Sequence, residues 1–308
     1  MGELFERVRP IQPLEYTGER LTTGATGEVE VEHLHRYFLA RDLTRGLDVL
    51  DIASGEGYGS ALLAQTARSV VGVEIDSVAV EHARAGYGAG NLRYEQGSAQ
   101  SIPLIDQSVD VVVSFETIEH FSEQEQFLTE IRRVLRPGGK LLISSPNRDL
   151  YCPPGTPPNP YHVRELNRTE FEKLLSANFA HVALLGQRPI IGSVIVREMG
   201  TEHPYEPLTF EHRSSDSFEA SKGIDRALYY VAIASDAALP VLPESFYFEL
   251  GAIDDVMVAL PALRKAIAEY SYHLDRINAS HWWRLGMWFA RLFRTLVGFF
   301  SRLGFRTN

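Results

Sequence analysis

Residues 49 to 60 read V-L-D-I-A-S-G-E-G-Y-G-S. Val49 to Ala53 is an apolar run broken by Asp51; Gly55, Gly57 and Gly59 follow at once, and a helical pattern from Tyr58 to Ala67 comes behind them. A buried strand that ends in a tight glycine turn and leads into a helix brings backbone N–H groups close to a ligand. Two ligand classes use such a turn. A dinucleotide fingerprint, G-x-G-x-x-G, places its third glycine one residue later than here and seats a pyrophosphate on the helix N-terminus. Here a carboxylate, Asp51, stands four residues before Gly55. A second anion beside it is disfavoured, whereas a cationic ligand is not.

The downstream stretches narrow the choice. Ser69 to Glu74, S-V-V-G-V-E, is a second buried strand ending in an acid, 17 residues after Gly57. A carboxylate there can accept hydrogen bonds from both hydroxyls of a ribose. Asp76, before the helical run Ser77 to Ala85, reads as its N-cap. Y-E-Q-G-S-A-Q (94 to 100) and L-I-D-Q-S-V-D-V-V-V-S-F-E-T-I-E-H-F (104 to 121) follow. Together with D-I-A-S-G-E-G (51 to 57), these stretches resemble the class I S-adenosylmethionine-dependent methyltransferases of the type 11 kind, whose D-x-x-x-G-x-G motif meets a ligand carrying a sulfonium and an ammonium.

The resemblance is close from about 49 to 147 and looser as far as Ser235. It implies an α/β fold, a Rossmann-like seven-stranded sheet flanked by helices, with S-adenosyl-L-methionine as cofactor. It places Asp51, Ala53, Ser54, Gly55, Gly57, Glu74, Ile75, Ser98, Ala99, Phe115 and Glu116 around that cofactor, with Glu74 on the ribose. The family's usual Asp is Ser98 here, which leaves the backbone N–H of Ala99 to meet the adenine. Members of the family often use an N-terminal segment as a lid, with a Tyr and an Arg near the methionine carboxylate. Tyr16 and Arg36 are the candidates, with Arg20 as the alternative Arg.

Residues 11 to 30 are rich in glycine and threonine and read as a loop; it leads into a helix, Val31 to Leu43, with Val31, Leu34, Phe38 and Leu39 expected on the buried side. Between 45 and 147, strands at 47–53, 69–74, 91–96, 109–115 and 139–146 alternate with helical runs. Such alternation implies parallel strands joined by right-handed crossovers. S-E-Q-E from Ser122 is expected to open a helix as a capping box, and R-P-G-G (136 to 139) to close it. Residues 145 to 165, S-P-N-R-D-L-Y-C-P-P-G-T-P-P-N-P-Y-H-V-R-E, are too rich in proline for regular structure. Loops beyond strand C-termini are where open α/β sheets meet substrate. A helix at 168–177, capped by Asn167 with Glu170 at N3, and strands at 181–187 and 227–235 complete the seven strands. The segment 188 to 225 is then an insertion.

At 308 residues with 44% hydrophobic content, the chain can bury a full core and carry an appendage. Its formal net charge of -10 argues against a surface that tracks nucleic-acid phosphates. The single Cys152 leaves no internal disulfide and no cysteine-based zinc site, and the charged stretch Met1 to Pro10 lacks signal-peptide character, so a cytoplasmic location is expected. The expected organisation is a lid segment and helix at 1–44, a methyltransferase domain at 45–236, and a helical appendage at 237–308.

In that appendage Ile253, Val256, Leu260, Leu263, Ile267, Tyr270, Leu274 and Ile277 form a heptad stripe. Pro261 interrupts it, so the helix kinks there or begins there. The stripe either packs on its own domain or forms an oligomeric coiled coil through 253–277. Beyond Asp275 there is no acidic residue, while Arg276, Arg284, Arg291, Arg294, Arg302 and Arg306 contribute +6. On a helix, Arg284, Arg291, Arg294 and Arg302 fall within an arc of about 80°, opposite Leu285, Trp288, Phe289, Leu292, Leu296, Phe299, Phe300 and Leu303. A basic, aromatic-rich helix over 282–305 suits peripheral contact with a membrane surface and is too interrupted to span one.

Methyl transfer from a sulfonium needs a nucleophile held about 3 Å from the methyl and opposite the sulfur. If the nucleophile is an alcohol its proton must leave, and a His near neutral pKa is the commonest acceptor. His120, in I-E-H after the fourth strand, and His162, in the proline-rich loop, are the candidates, and Glu119 can orient His120. No carboxylate cluster is visible on the acceptor side, so no metal is expected. An acidic catalytic domain followed by a heptad helix and a basic interfacial helix suits a saccharide acceptor, lipid-linked or polysaccharide, at the cytoplasmic membrane face. W-W-R-L-G (282 to 286) resembles tails of bacterial polysaccharide (O-antigen type) methyltransferases. The expected reaction is O-methylation of a sugar hydroxyl. The alternatives are a membrane quinone or lipid methyltransferase, an NAD(P)-binding oxidoreductase, or a non-catalytic nucleotide-binding scaffold.

Overall fold

Short runs rich in β-branched residues, D-V-L-D-I, S-V-V-G-V-E and V-D-V-V-V-S, form central strands. Such residues suit a sheet covered on both faces. The computed structural model describes residues 12, 14–15, 20–24, 27–152, 155, 157, 159–190, 208–214, 217–224, 226–247 and 250–279. Its first half comprises α1 (Glu28–Leu43), β1 (Asp48–Ile52), α2 (Tyr58–Ala64), β2 (Ser69–Glu74), α3 (Ser77–Gly86), β3 (Leu92–Gln96) and β4 (Val109–Ser114). A 3-10 turn at Ile118–His120, α4 (Gln124–Val134), β5 (Leu135–Pro146), α5 (Arg148–Tyr151) and α6 (Arg168–Ser176) follow. Last come β6 (His181–Gln187), β7 (Leu208–Ser214), β8 (Ser217–Lys222), β9 (Tyr229–Ser235) and α7 (Leu250–Ala279).

Seven strands form one sheet in the order β3-β2-β1-β4-β5-β9-β6, and β7 and β8 pair separately as an antiparallel hairpin within the insertion. The first five strands in chain order run parallel, and β9 lies antiparallel between β5 and β6. The chain moves outward from β1 to β3, then returns to place β4 on the other side of β1. That reversal opens a crevice at the C-terminal ends of β1 and β4, where ligands of open α/β sheets bind. Alternation along each strand divides the core. Val49, Val111 and Val113 face α1, α2 and α3, while Leu50 and Val112 face α4 and α6.

Local signals held where neighbours in sequence decide the outcome. Asp76 accepts from the Val78 N–H, and Asn167 with Glu170 completes a capping box. Elsewhere the structure corrects the expectation. The buried face of α1 carries Glu32, Leu34, Arg36, Tyr37, Ala40 and Arg41; Phe38 packs against the core as expected, whereas Val31 and Leu39 are only half-buried. Apolar periodicity misses polar side chains whose groups are satisfied by distant partners. S-E-Q-E forms no capping box: α4 starts at Gln124, and Glu123 caps nothing with its side chain. The Gln124 amide instead donates to the carbonyls of Ile118 and Arg164. R-P-G-G lies within β5, where the register against β4 shifts. A single turn, α5, capped by Asn147, interrupts the proline-rich stretch.

The chain divides into Met1–Tyr247 and Phe248–Asn308, later than the expected boundary after 236, because Leu239, Leu242 and Tyr247 pack on the core of the first unit. In the second unit α7 continues through Pro261, so the helix does not begin at that proline. Leu263, Ile267, Tyr270 and Leu274 of the heptad stripe are exposed. Tyr16 and the segment 282–305 lie outside the described residues. Among the described residues no helix is long and apolar enough to cross a membrane.

Close approach of α1 to α2 depends on Gly59, where a Cβ would fall 2.0 Å from the Tyr37 ring. Gly59→Ala should therefore destabilise the chain by about 1–3 kcal/mol. Gly88→Ala, whose Cβ would meet nothing within 4 Å, should change stability by no more than about 0.5 kcal/mol. Denaturant midpoints measure both; equal midpoints would mean that Tyr37 repacks without strain.

Candidate functional site

The glycine turn after β1 is built from left-handed backbone: φ is 58° at Ala53, 56° at Gly55 and 99° at Gly57. For Ala53 this conformation is uncommon, so the turn holds one strained residue at the end of a central strand. The Ser54 N–H donates to the Val73 carbonyl (3.0 Å) and the Gly57 N–H to the Ser54 carbonyl (3.0 Å), which fixes the turn against β2. A Cβ at Gly55 would meet nothing within 4 Å, so space lies open above the turn. Ser54 is buried, and its hydroxyl has no hydrogen-bond partner among the described residues.

Two carboxylates close this end of the sheet. Asp51 is fully buried and accepts from the Ser60 hydroxyl (2.6 Å) and the Tyr37 hydroxyl (3.1 Å). Burial pushes its carboxyl up to about 7; the charge of Glu74 adds to the rise, and the two hydroxyls oppose it. Glu74 ends β2 and accepts from the N–H groups of Gly55 (2.9 Å), Ile75 (3.0 Å) and Asp76 (3.1 Å). Its orientation is thus set by backbone. The Ile75 side chain beside it is exposed. At the end of β3, Ala99 is buried, and the Ser98 hydroxyl accepts from the Gln100 N–H (3.2 Å). A nucleoside bearing a cationic centre fits this set: paired acids at adjacent strand ends, an open left-handed turn and an unsatisfied buried hydroxyl.

Glu56, the acid between the turn glycines, is fully buried and receives the N–H groups of Leu14 and Thr23 and the Thr23 hydroxyl. It straps the N-terminal segment to the turn. Arg20 of that segment pairs with Asp76 (3.0 Å) and approaches Glu74 (3.9 Å), which puts it on the Glu74 side. Arg36 is buried between Glu116 (2.8 Å) and Glu32 (3.7 Å), donates to Gln187 (2.7 Å) and Ser144 (3.2 Å), and lies over the Tyr229 ring. Its Nη2 is the guanidinium nitrogen nearest Glu32 Oε1 and makes no hydrogen bond among the described residues. Glu116 has φ 50°, and its N–H donates to the Ser144 hydroxyl, which in turn donates to its Oε1. Phe115, before it, packs edge-on against Tyr37.

Beyond β4, the carbonyl of Glu119 accepts from the N–H groups of Val163 (2.8 Å) and Arg164 (2.9 Å). The proline-rich loop is thereby clipped to the end of the strand, and His120 and His162 come together with ring centroids 5.3 Å apart. The Nδ1 of His120 lies 2.9 Å from the Tyr161 carbonyl, which can only accept; the neutral ring therefore carries its hydrogen on Nδ1 and its lone pair on Nε2. His162 Nδ1 lies 2.6 Å from Glu165 Oε1, and its Nε2 lies 3.1 Å from the Asn159 amide nitrogen, which assigns the same tautomer. Tyr151 stacks on His162. Glu119 is fully buried, and neither carboxylate oxygen has a hydrogen-bond partner among the described residues. Burial, with the charge of Glu116 added, pushes its carboxyl well above the usual range. One ligand atom each from Glu119, His120 and His162 lies within 4.8 Å of the others. The group is not a cluster of carboxylates: it mixes one acid with two imidazoles brought in from separate segments.

Tyr37, Glu56 and Gln187 escaped the sequence reading. Glu56 had a signal, an acid inside the glycine turn. Tyr37 and Gln187 had none, because their partners lie 14 and 151 residues away.

The sequence profile of a family described as "Methyltransferase domain" matches residues 50–143. A protein of Mycolicibacterium smegmatis, named as a probable S-adenosylmethionine-dependent methyltransferase, is 46% identical over 178 residues, 57% of this chain and 68% of its own length. A fatty-acid O-methyltransferase of the same organism is 33% identical over 124 residues, 37% of this chain and 45% of its own length. A methyltransferase solved in complex with the Haloferax volcanii Trm112 methyltransferase activator aligns with a TM-score of 0.50 over 71% of this chain and 93% of that one; at 18% identity the likeness is one of fold.

The raised pKa of Asp51 has a consequence for ligand affinity. In the ligand-free chain its carboxyl ionises near 7, whereas a cation beside it favours the ionised form. Binding of S-adenosylmethionine should therefore release a proton at acid pH, and affinity should rise between about pH 5 and pH 7 and level off above. Calorimetry in buffers of differing ionisation heat measures both; affinity independent of pH over that range would show Asp51 already ionised in the free chain.

Proposed function

The chain belongs to the class I S-adenosylmethionine-dependent methyltransferases, and from that premise we propose that it methylates a hydroxyl oxygen, with the acceptor at the Glu119–His120–His162 cluster. The observation that carries this reading is the fixed tautomer of both imidazoles, whose Nδ1 contacts leave Nε2 as the basic nitrogen of each ring, next to the buried Glu119 carboxyl. The bound cofactor supplies a methyl on positively charged sulfur, which an oxygen displaces in line. The chain's own groups do the rest. Asp51 and Glu74 match the cationic centre and the ribose, and the positive charge of Arg36, close to the end of β4, favours the carboxylate of the methionine part. The segment strapped by Glu56 limits water on the cofactor side. As the hydroxyl attacks, its proton passes to an imidazole Nε2, whose basicity is supported by the acceptor bonded to Nδ1.

The acceptor in this reading is a saccharide hydroxyl, lipid-linked or in a polysaccharide, met at the cytoplasmic membrane face. Support comes from the sequence beyond Asp275, which has six arginines and no acid, and from the exposed heptad residues of α7, which suit a second copy. A lipid acceptor is the second reading, favoured by the relative named as a fatty-acid O-methyltransferase. Labelled methyl transfer to lipid-linked saccharides, free saccharides and fatty acids separates the two. In the same assay, replacing the proton-accepting residue by His120→Ala or His162→Ala should lower turnover about 10²- to 10⁴-fold with unchanged cofactor affinity. Full turnover in both variants would remove the histidine base.

The membrane part is tested apart from the chemistry. Deleting residues 281–308 should release the chain from anionic vesicles, since each basic residue near such a surface contributes about 1 kcal/mol, and leave cofactor affinity unchanged. Vesicle binding that survives the deletion would rule out this tail as the anchor.

A further inference from the structure

Glu119 has no exposed surface and no hydrogen bond to either carboxylate oxygen among the described residues. A buried carboxylate in that condition is strongly disfavoured when charged and disfavoured even when neutral, so the arrangement needs a partner. One of its oxygens and one imidazole nitrogen each from His120 and His162 lie within 4.8 Å of one another. Among the described residues this is the only such grouping of His, Cys, Asp and Glu. Each imidazole already has the outer contact that orients a ligating ring, Nδ1 to the Tyr161 carbonyl in one case and Nδ1 to the Glu165 carboxylate in the other. Val163 and Arg164, bonded to the Glu119 carbonyl, and Tyr151, stacked on His162, hold the two segments in place.

We propose that Glu119, His120 and His162 form a binding site for one divalent first-row transition-metal cation, with a further coordination position open to the acceptor's oxygen. Two imidazoles and a carboxylate are a donor set for Zn²⁺, Fe²⁺, Co²⁺ or Mn²⁺, whereas Ca²⁺ and Mg²⁺ take mostly oxygen. The cation supplies the positive charge that Glu119 lacks, and the Asn159 amide, now 3.1 Å from His162 Nε2, gives up that position to it. The three-residue site stands on the chain's own geometry; only the open position rests on the acceptor placement proposed above. A hydroxyl bound to the cation is more acidic. Its O–H bond breaks with the proton leaving to solvent water, the oxygen forms the new C–O bond, and the C–S bond breaks with its electron pair staying on sulfur. In the cation-free chain the imidazole takes that proton; in the loaded chain the imidazoles are ligands.

The test uses the full-length, untagged chain stripped with EDTA and titrated with Co²⁺, read by visible absorption and calorimetry. One equivalent should bind with the absorption of nitrogen and oxygen coordination. Glu119→Gln and His162→Asn should each weaken it at least about 10-fold, the size of the loss when even a ligand's orienting partner is removed. Cofactor affinity should stay as in the intact chain, and a cooperative melting curve should show each variant folded. No Co²⁺ bound by the intact chain, or equal binding in both folded variants, overturns the site. Should a variant fail to fold, Co²⁺ protection of His120 and His162 from diethyl pyrocarbonate in the intact chain decides, and unprotected histidines overturn the site. Co²⁺ bound at the three residues with no methyl passed to any saccharide sinks the acceptor reading alone. Transfer undiminished by EDTA with no Co²⁺ bound sinks the cation site alone.

Discussion

A carboxylate with no exposed surface stands at the end of the central strand, and the elements around it are placed by its need for donors. Asp51 receives hydroxyls from Tyr37 on α1 and Ser60 on α2. Both helices must therefore reach the same strand end, which brings α1 so near α2 that only glycine fits at residue 59. Unpaired, the same group would strongly disfavour folding; with two hydroxyls it remains a carboxyl that titrates near 7.

Placing Tyr37 also places Arg36. The two are neighbours on one buried face of α1, and the guanidinium is delivered to Glu116, Ser144 and Gln187, at the ends of β4, β5 and β6. Burial works against the charge on Arg36, but Glu116 and Glu32 more than offset it and its pKa lies above the usual range. One helix thus connects Asp51, at the end of β1, to Glu116, just beyond the end of β4. Glu116 is held at a positive φ.

The two buried acids beyond β1 and β4 differ in what surrounds them. Asp51 has protein donors on both oxygens; Glu119 has none among the described residues. The first is complete without a ligand and the second is not. Glu119's carbonyl, by contrast, is fully used, holding the 159–165 loop through Val163 and Arg164. The same residue therefore positions the loop that carries His162 and offers that histidine an unsatisfied acid.

By itself the sequence determined the alternating strands and helices, the tight glycine turn with Asp51 before it, the acid ending β2, and the caps at Asp76 and Asn167. These are local: apolar period, glycine spacing and capping depend on residues a few positions apart. It also marked His120 and His162 as candidates, though not that they meet. The tertiary structure alone decided which polar residues of α1 are buried, why S-E-Q-E caps nothing, and which groups face Glu119. Gln124 is drawn to a carbonyl 40 residues away, and Arg36 to a Gln 151 residues away. Pairing of buried charges and amides is settled by which segments the sheet order brings together, and no window of sequence contains both partners.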